Sequence, residues 1–200
     1  MTRAANSAFA SDPRGRLAEL THGADPMADL LKSAFPPIIG ERPRLLILGS
    51  MPGEASLRLG QYYGHGRNAF WPILSELLSV PPESDYPTRI AALKVNHIAL
   101  WDVIATCARR GSLDASIRPD SIRVNDFAAL FRTHPSIRCI AFNGATAERE
   151  FRRRVLPDLE QPHRCIQQRR LPSTSPAHAG MTLDAKRAAW RVLVELMTGT

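Results

Sequence analysis

Two hundred residues suit one domain, and a single core of that size buries roughly 70% of the surface its unfolded chain exposes, which removes the need for disulfide or metal staples. No window approaches the ~18 apolar residues of a spanning helix, and the opening MTRAANSAFASDPRGR lacks the apolar core of a secretory leader, so the chain is expected to be cytoplasmic and free of the membrane. A net charge of +7 favours polyanionic partners, because neutralised phosphates release condensed counterions.

Residues 1–23 are small and polar with no period and read as a mobile tail; residues 24–200 read as one domain. Residues 28–35 form an expected short helix stopped by Pro36-Pro37. The apolar run RLLILG, residues 44–49, reads as a strand buried on both faces. A long loop, residues 50–67, leads to a helix starting near Asn68, with Phe70, Trp71, Leu74, Leu77 and Leu78 on one face. Past the Pro81-Pro82 break, NHIALW (96–101) reads as a second strand. Asn125 or Asp126 caps a short helix through Phe131. IRCIAF (137–142) reads as a third strand, and Asn143-Gly144 turns into a helix reaching Val155. Residues 163–168 are a weaker fourth strand, residues 171–178 a Pro/Ser loop, and residues 184–197 a closing helix with Trp190, Leu193, Val194 and Met197 inward.

Strands alternating with helices imply an α/β layer structure with a mainly parallel sheet. Ligands of such sheets sit outside the carboxyl ends of the strands. The unusual loops start at those ends, after Gly49, Trp101, Phe142 and at Leu171, so they are expected to converge on one rim. Cys107, Cys139 and Cys165 are scattered and lack CxxC spacing, which points to buried reduced thiols rather than to zinc or a cluster.

Two segments carry candidate chemistry. The first is GSMPGEASLRLGQYYGHGRNAFW, residues 49–71, which has neither Walker nor GxGxxG spacing. Its Asn68 is either the cap of the following helix or a polar group held for chemistry. The second is LPSTSPAHAG, residues 171–180, whose hydroxyls and backbone N–H groups between prolines suit phosphate contacts, or simply a rigid turn. Asp102 ends the second strand and either caps a helix from Val103 or serves a site, and Asn143 likewise makes an Asn-Gly turn or meets a ligand. The run Arg152-Arg153-Arg154 is spread around a helix and reads as a solvated face rather than a DNA contact.

Both segments, read as GSMPG, YYGH, RNAFW and LPSTSPA together with FNG at residues 142–144, resemble the signature motifs of the uracil-DNA glycosylase superfamily, in the wording of its deoxyinosine (hypoxanthine) branch. The resemblance runs from about Pro36 to the C-terminus. It implies a three-layer α/β/α sandwich with a central four-stranded parallel sheet and a monofunctional DNA glycosylase needing no cofactor or metal. It implies catalytic roles for Asn68, which would orient the attacking water, for Asp102, and for Ser173 at the position of the usual oxyanion-stabilising residue. It places the superfamily's water-activating Asp or Asn at Met51, which cannot do that job. Base contacts would come from Ser50, Met51, Tyr63, Phe70 and Asn143, with Tyr63 as the stacking aromatic. DNA contacts would come from Pro52, Gly53, Ser56, His65, Arg67, Ser175, Ala177 and His178, with Ala177 near the wedge position but too small to fill much.

The expected partner is DNA holding a deaminated base, hypoxanthine or uracil, and the expected assembly a monomer engaged in nucleoid-associated repair. The base is flipped into a pocket, its N-glycosidic bond is hydrolysed, and an abasic site remains. No lysine suggests a Schiff base, so no lyase step is expected. A catalytically weak module for damaged or single-stranded DNA on the same fold is the alternative.

Overall fold

The computed structural model describes residues 30–198; the segment read as a tail, residues 1–23, lies outside them. The strands are β1 (Leu31–Ser33), β2 (Leu45–Gly49), β3 (Ile98–Asp102), β4 (Ile104–Ala108), β5 (Arg123–Val124), β6 (Cys139–Asn143) and β7 (Gln167–Leu171). The helices are α1 (Glu54–Leu59), α2 (Phe70–Leu77), α3 (Tyr86–Val95), α4 (Phe127–Thr133), α5 (Ala145–Arg154), α6 (Leu183–Trp190) and α7 (Val192–Thr198).

The main sheet has the order β3-β2-β6-β7, with every pair parallel. All five residues of β2, of β3 and of β6 are buried, as continuous apolar runs require when helices cover both faces. Side-chain alternation sorts the layers. Trp101 and Phe142 point to the face where Phe127 of α4 and Phe151 of α5 pack, with ring centroids 5.1 Å and 5.3 Å away. Gly49, Asp102, Asn143 and Leu171 point to the opposite face, covered by α2 and α6, where Phe70 meets Trp190 edge-on at 5.8 Å. This is the three-layer α/β/α architecture.

Several elements differ from the sequence reading. Instead of a helix over 28–35, residues 31–33 form β1, pairing antiparallel with β4; Pro36-Pro37 follow too closely for helix, and β4 supplies the backbone partners. With β5 these strands make a second, three-stranded sheet. Helix α1 lies within the stretch read as a loop, and α3 fills the stretch between the Pro81-Pro82 break and the second strand, to which the sequence reading gave no element. The fourth parallel strand begins at Gln167, because residues 163–165 form a 3₁₀ turn and pairing with β6 sets the register. The closing helix is two helices meeting at Arg191; the break resets the rotation, so Trp190 and Leu193 are buried while Val194 is exposed. Cys107 and Cys139 are buried thiols, but Cys165 is exposed. Among the described residues, no helix is long and apolar enough to cross a membrane.

Candidate active site

The loops at the strand ends meet. Ser50 and Met51 after β2, Asp102 closing β3, Asn143 closing β6 and Ser173 after β7 line one cavity of about 370 Å³. Tyr63, His65 and Asn68 from the loop before α2 complete its wall.

The floor is built on a register pair, Gly49 and Asp102. A Cβ on Gly49 would overlap Asp102 Oδ1 and lie 2.9 Å from the Tyr63 hydroxyl, so only glycine lets both groups descend onto the β2 backbone. Asp102 is 3% exposed, and its Oδ2 and the Tyr63 hydroxyl are buried without hydrogen-bond partners. Burial, and then the Asp114 carboxylate, push the Asp102 carboxyl up to about 8, while the Arg109 guanidinium pulls weakly downward. Near neutral pH Asp102 is therefore mainly a carboxylic acid, with one donor and an acceptor to offer. Burial and then the Asp102 charge raise the Tyr63 phenol, which stays a neutral donor. Native proteins seldom leave such atoms unpaired, and here both belong to residues that line an open cavity.

Tyr63 stands at φ 54, and its ring stacks on Phe70 with centroids 3.8 Å apart and planes 20° from parallel. Phe70 is fully buried and does not line the cavity; it backs Tyr63, whose other ring face is the one available to a ligand. Asn68 accepts the Phe70 N–H at its Oδ1 (3.0 Å) while its own N–H donates to the His65 carbonyl (2.8 Å). The amide thus braces the entry to α2 and still keeps its Nδ2 group and one oxygen lone pair at the cavity wall.

The loop after β7 is pinned through its carbonyls. The Leu171 carbonyl accepts from Gly144 N–H (3.0 Å), Pro172 from Trp190 Nε1 (2.9 Å), Thr174 from Ala69 N–H (3.0 Å) and His178 from Lys186 Nζ (2.9 Å). Asn143 grips Thr174 with both ends of its amide: Nδ2 donates to Oγ1 (2.8 Å), and Oδ1 accepts the N–H (2.9 Å), which leaves one Nδ2 hydrogen and one Oδ1 lone pair. It therefore clamps the loop while it also lines the cavity. The Ser173 and Ser175 hydroxyl oxygens accept the N–H of Ser175 and Ala177 (3.2 Å each), which leaves both hydroxyl protons free to donate outward.

A model of the uracil DNA glycosylase superfamily matches residues 36–194. The chain belongs to the uracil DNA glycosylase superfamily. It is 42% identical over 114 residues to the hypoxanthine DNA glycosylase of Methanosarcina barkeri, a match covering 56% of this chain and 71% of that one. It is 38% identical over 119 residues to the hypoxanthine DNA glycosylase of Methanosarcina acetivorans, covering 59% and 74% respectively. The solution NMR structure of a candidate uracil DNA glycosylase from Methanosarcina acetivorans superposes with a TM-score of 0.66 at 32% identity, covering 82% of this chain and 99% of that one. By family and relatives the chain is a DNA glycosylase.

Within this uracil DNA glycosylase superfamily site, Pro52, Gly53, Ser56, Ser175, Ala177 and His178 also line the cavity, whereas Arg67 is exposed outside its lining. Ser56 is nearly buried, and its Oγ accepts the Gly64 N–H (3.0 Å), so it shapes the loop from within. His65 Nδ1 accepts the Arg67 N–H (3.1 Å), which places its ring proton on Nε2 when neutral. Met51 is 6% exposed and packs with Ile104, Cys107, Ile117 and Ile122, which explains why an apolar side chain occupies that position. Asp102 caps no helix, since the chain runs straight on into β4. Arg152 and Arg154 pair with Glu148 and Glu150 of their own helix (3.1 Å and 2.8 Å). Sequence reasoning missed Ser112, Leu113 and Asp114, which reach the cavity from the segment between β4 and β5. Asp114 accepts the Ser50 hydroxyl at 2.8 Å, and Ser112 Oγ accepts the Glu54 N–H at 2.9 Å. The polar turn Gly-Ser-Leu-Asp at 111–114 was the available signal, but nothing in its spacing tied it to the first motif. Among the described residues, no cluster of His, Cys, Asp or Glu is placed to hold a metal ion.

Proposed function

We propose that this chain excises hypoxanthine from DNA, with uracil as the alternative base, by hydrolysing the N-glycosidic bond of an extruded nucleotide. The observation that carries this reading is the convergence of four strand-end loops on one cavity holding an aromatic platform and two unsatisfied buried polar atoms. The names of the two archaeal relatives favour hypoxanthine.

Extrusion costs a few kcal/mol, and less for a mispaired base, which itself favours deaminated bases. Tyr63, backed by Phe70, stacks on the base, a contact worth roughly 1–3 kcal/mol. Hypoxanthine and uracil share a lactam edge, an N–H beside a C=O. The neutral Asp102 carboxyl matches it with an acceptor for the N–H and a donor for the carbonyl. C–N cleavage leaves negative charge on the base and positive charge on the sugar. Donation from Asp102 stabilises the departing base, a well-placed donor being worth about 3–4 kcal/mol. The remaining Asn68 lone pair orients the water that captures the sugar. The Ser173 and Ser175 hydroxyl protons hold the flanking phosphates. The reaction proposed is hydrolysis alone, ending at an abasic site; among the described residues that line the cavity there is no lysine to form a Schiff base.

The test is release of base from duplex oligonucleotides containing hypoxanthine, uracil or xanthine, read as strand cleavage after alkali. Hypoxanthine should be released fastest. Tight binding without alkali-labile product would instead identify a damaged-DNA binding module.

A further inference from the structure

We propose that Arg109 is a positioning residue: from inside the fold it holds the Pro52 carbonyl, and so turns the Gly53 N–H outward to a phosphate beside the extruded nucleotide. This rests on the glycosylase reading above. Arg109 is 1% exposed, a state that guanidinium groups seldom reach unless a carboxylate pairs with them. Among the described residues no carboxylate forms an ion pair with Arg109, and its Nε and Nη1 have no hydrogen-bond partner. Its Nη2 donates to the Pro52 carbonyl. A buried, unpaired charge lowers stability, and an apolar side chain of similar length would serve the fold better. The use of this arginine therefore lies in the bond that it makes.

The backbone aims the side chain. Arg109 follows β4, and its N–H donates to the Leu30 carbonyl (2.9 Å). It bridges Ile117 antiparallel, with the Arg118 N–H on the Ala108 carbonyl (3.0 Å). Ile117 belongs to the apolar cluster that receives Met51, together with Ile104, Cys107 and Ile122. The guanidinium thus meets the first motif from the interior, at the buried residue next to Met51.

A trans peptide points its C=O and its N–H in opposite directions, and the Pro52–Gly53 bond is trans. With the Pro52 carbonyl drawn inward, the Gly53 N–H of the same peptide unit is turned outward. Both residues line the cavity, and among the described residues no acceptor meets that N–H. Its neighbours are already engaged: the Glu54 N–H donates to Ser112 Oγ (2.9 Å), and the Gly53 carbonyl accepts the Leu57 N–H (3.0 Å). The Gly53 N–H is a free, half-exposed donor, of the kind that fixes a DNA backbone in register without reading its sequence. Without the guanidinium nothing keeps the carbonyl inside, and a carbonyl rotated outward would face the phosphate and repel it.

The test separates orientation from stability. Arg109→Met removes the buried charge and its unpaired nitrogens, so it should melt no lower than wild type. Its KM for hypoxanthine-containing duplex should nevertheless rise about tenfold, the loss of one hydrogen bond to a charged group, with kcat within about threefold. Arg109→Lys still donates to the carbonyl and should recover most of the binding. A second measurement uses a duplex carrying a tetrahydrofuran abasic site, with the phosphate 5′ or 3′ of that site replaced by an uncharged methylphosphonate. At one of these two positions the losses in affinity from the methylphosphonate and from Arg109→Met should fail to add, because both remove the same contact. A large drop in the melting temperature of Arg109→Met, an unchanged KM, no recovery with lysine, or additive losses at both phosphates would overturn the positioning role and leave the glycosylase reading intact. Wild-type protein that releases neither hypoxanthine, uracil nor xanthine would overturn the two together.

Discussion

The Asp102 carboxyl occupies the space where a side chain on Gly49 would begin, and this contact sets the depth of the pocket floor. Gly49→Ala must push Asp102 and Tyr63 toward the cavity. Overpacking of this kind costs about 1–3 kcal/mol, lowering the melting temperature by several degrees. Excision in single-turnover assays should fall by at least about tenfold, as expected when catalytic groups move by a fraction of an ångström to an ångström. A variant with wild-type melting and wild-type rate would show that the close approach is dispensable.

The raised Asp102 carboxyl predicts a pH signature. Its folded value, about 8, lies above the ordinary 3.8, so between those values the folded chain holds a proton that the unfolded chain has lost. Stability therefore falls as pH rises across that window, the acid form being the one the burial tolerates. If the acid form also donates to the departing base, single-turnover excision should decline as pH passes about 8. Asp102→Asn keeps the shape without the titration, so melting and excision should both lose that descending limb. An unchanged limb in the variant would assign it to another group.

Asn68 performs two tasks that can be separated. Asn68→Ala loses the bond to the Phe70 N–H and should cost about 1 kcal/mol, as a lost cap does, while excision falls to background. Asn68→Asp keeps the acceptor and adds a base, so it should melt like wild type and retain measurable turnover. Near-normal activity in the alanine variant would remove Asn68 from the chemistry.

The loop after β7 should behave as one clamped unit. Thr174→Val leaves the buried Asn143 amide without its acceptor, a loss of about 1–3 kcal/mol, and should raise KM for DNA more than it lowers kcat. Lys186→Met frees the His178 carbonyl and should also weaken DNA binding. Because this ammonium is buried against the loop, the salt dependence of binding should keep its slope. A slope reduced by about one unit would mean that Lys186 touches a phosphate directly.

The elements that the sequence announced are those whose local pattern and tertiary fate agree. LLILG and CIAFN are apolar throughout because helices cover both faces of their strands, and Asp126 caps α4 through the N–H of Ala129 as its position suggests. Asp85 and Pro87 at the start of α3 were an equally local signal, an N-cap followed by proline, that was overlooked. By contrast β1 and β5 are three and two residues long. No side-chain period exists at that length, and β4 alone makes them strands.

For the site, the sequence by itself determined the two motifs, the aromatic at residue 63, the amide at residue 68 and the rim on which they gather. Chemical identity and order along the chain are local properties, and strand ends in a parallel sheet must lie level. Only the tertiary structure decided what each group does there. It tied the Asn143 amide to Thr174, set Phe70 behind Tyr63, turned Met51 into an apolar cluster, and brought Leu113 and Asp114 to the cavity. It also made Asp102 an acid, since that depends on how much water the surrounding chain removes and on a carboxylate twelve residues further along. Burial and proximity between distant segments are sums over the whole fold, and no short stretch of sequence contains them.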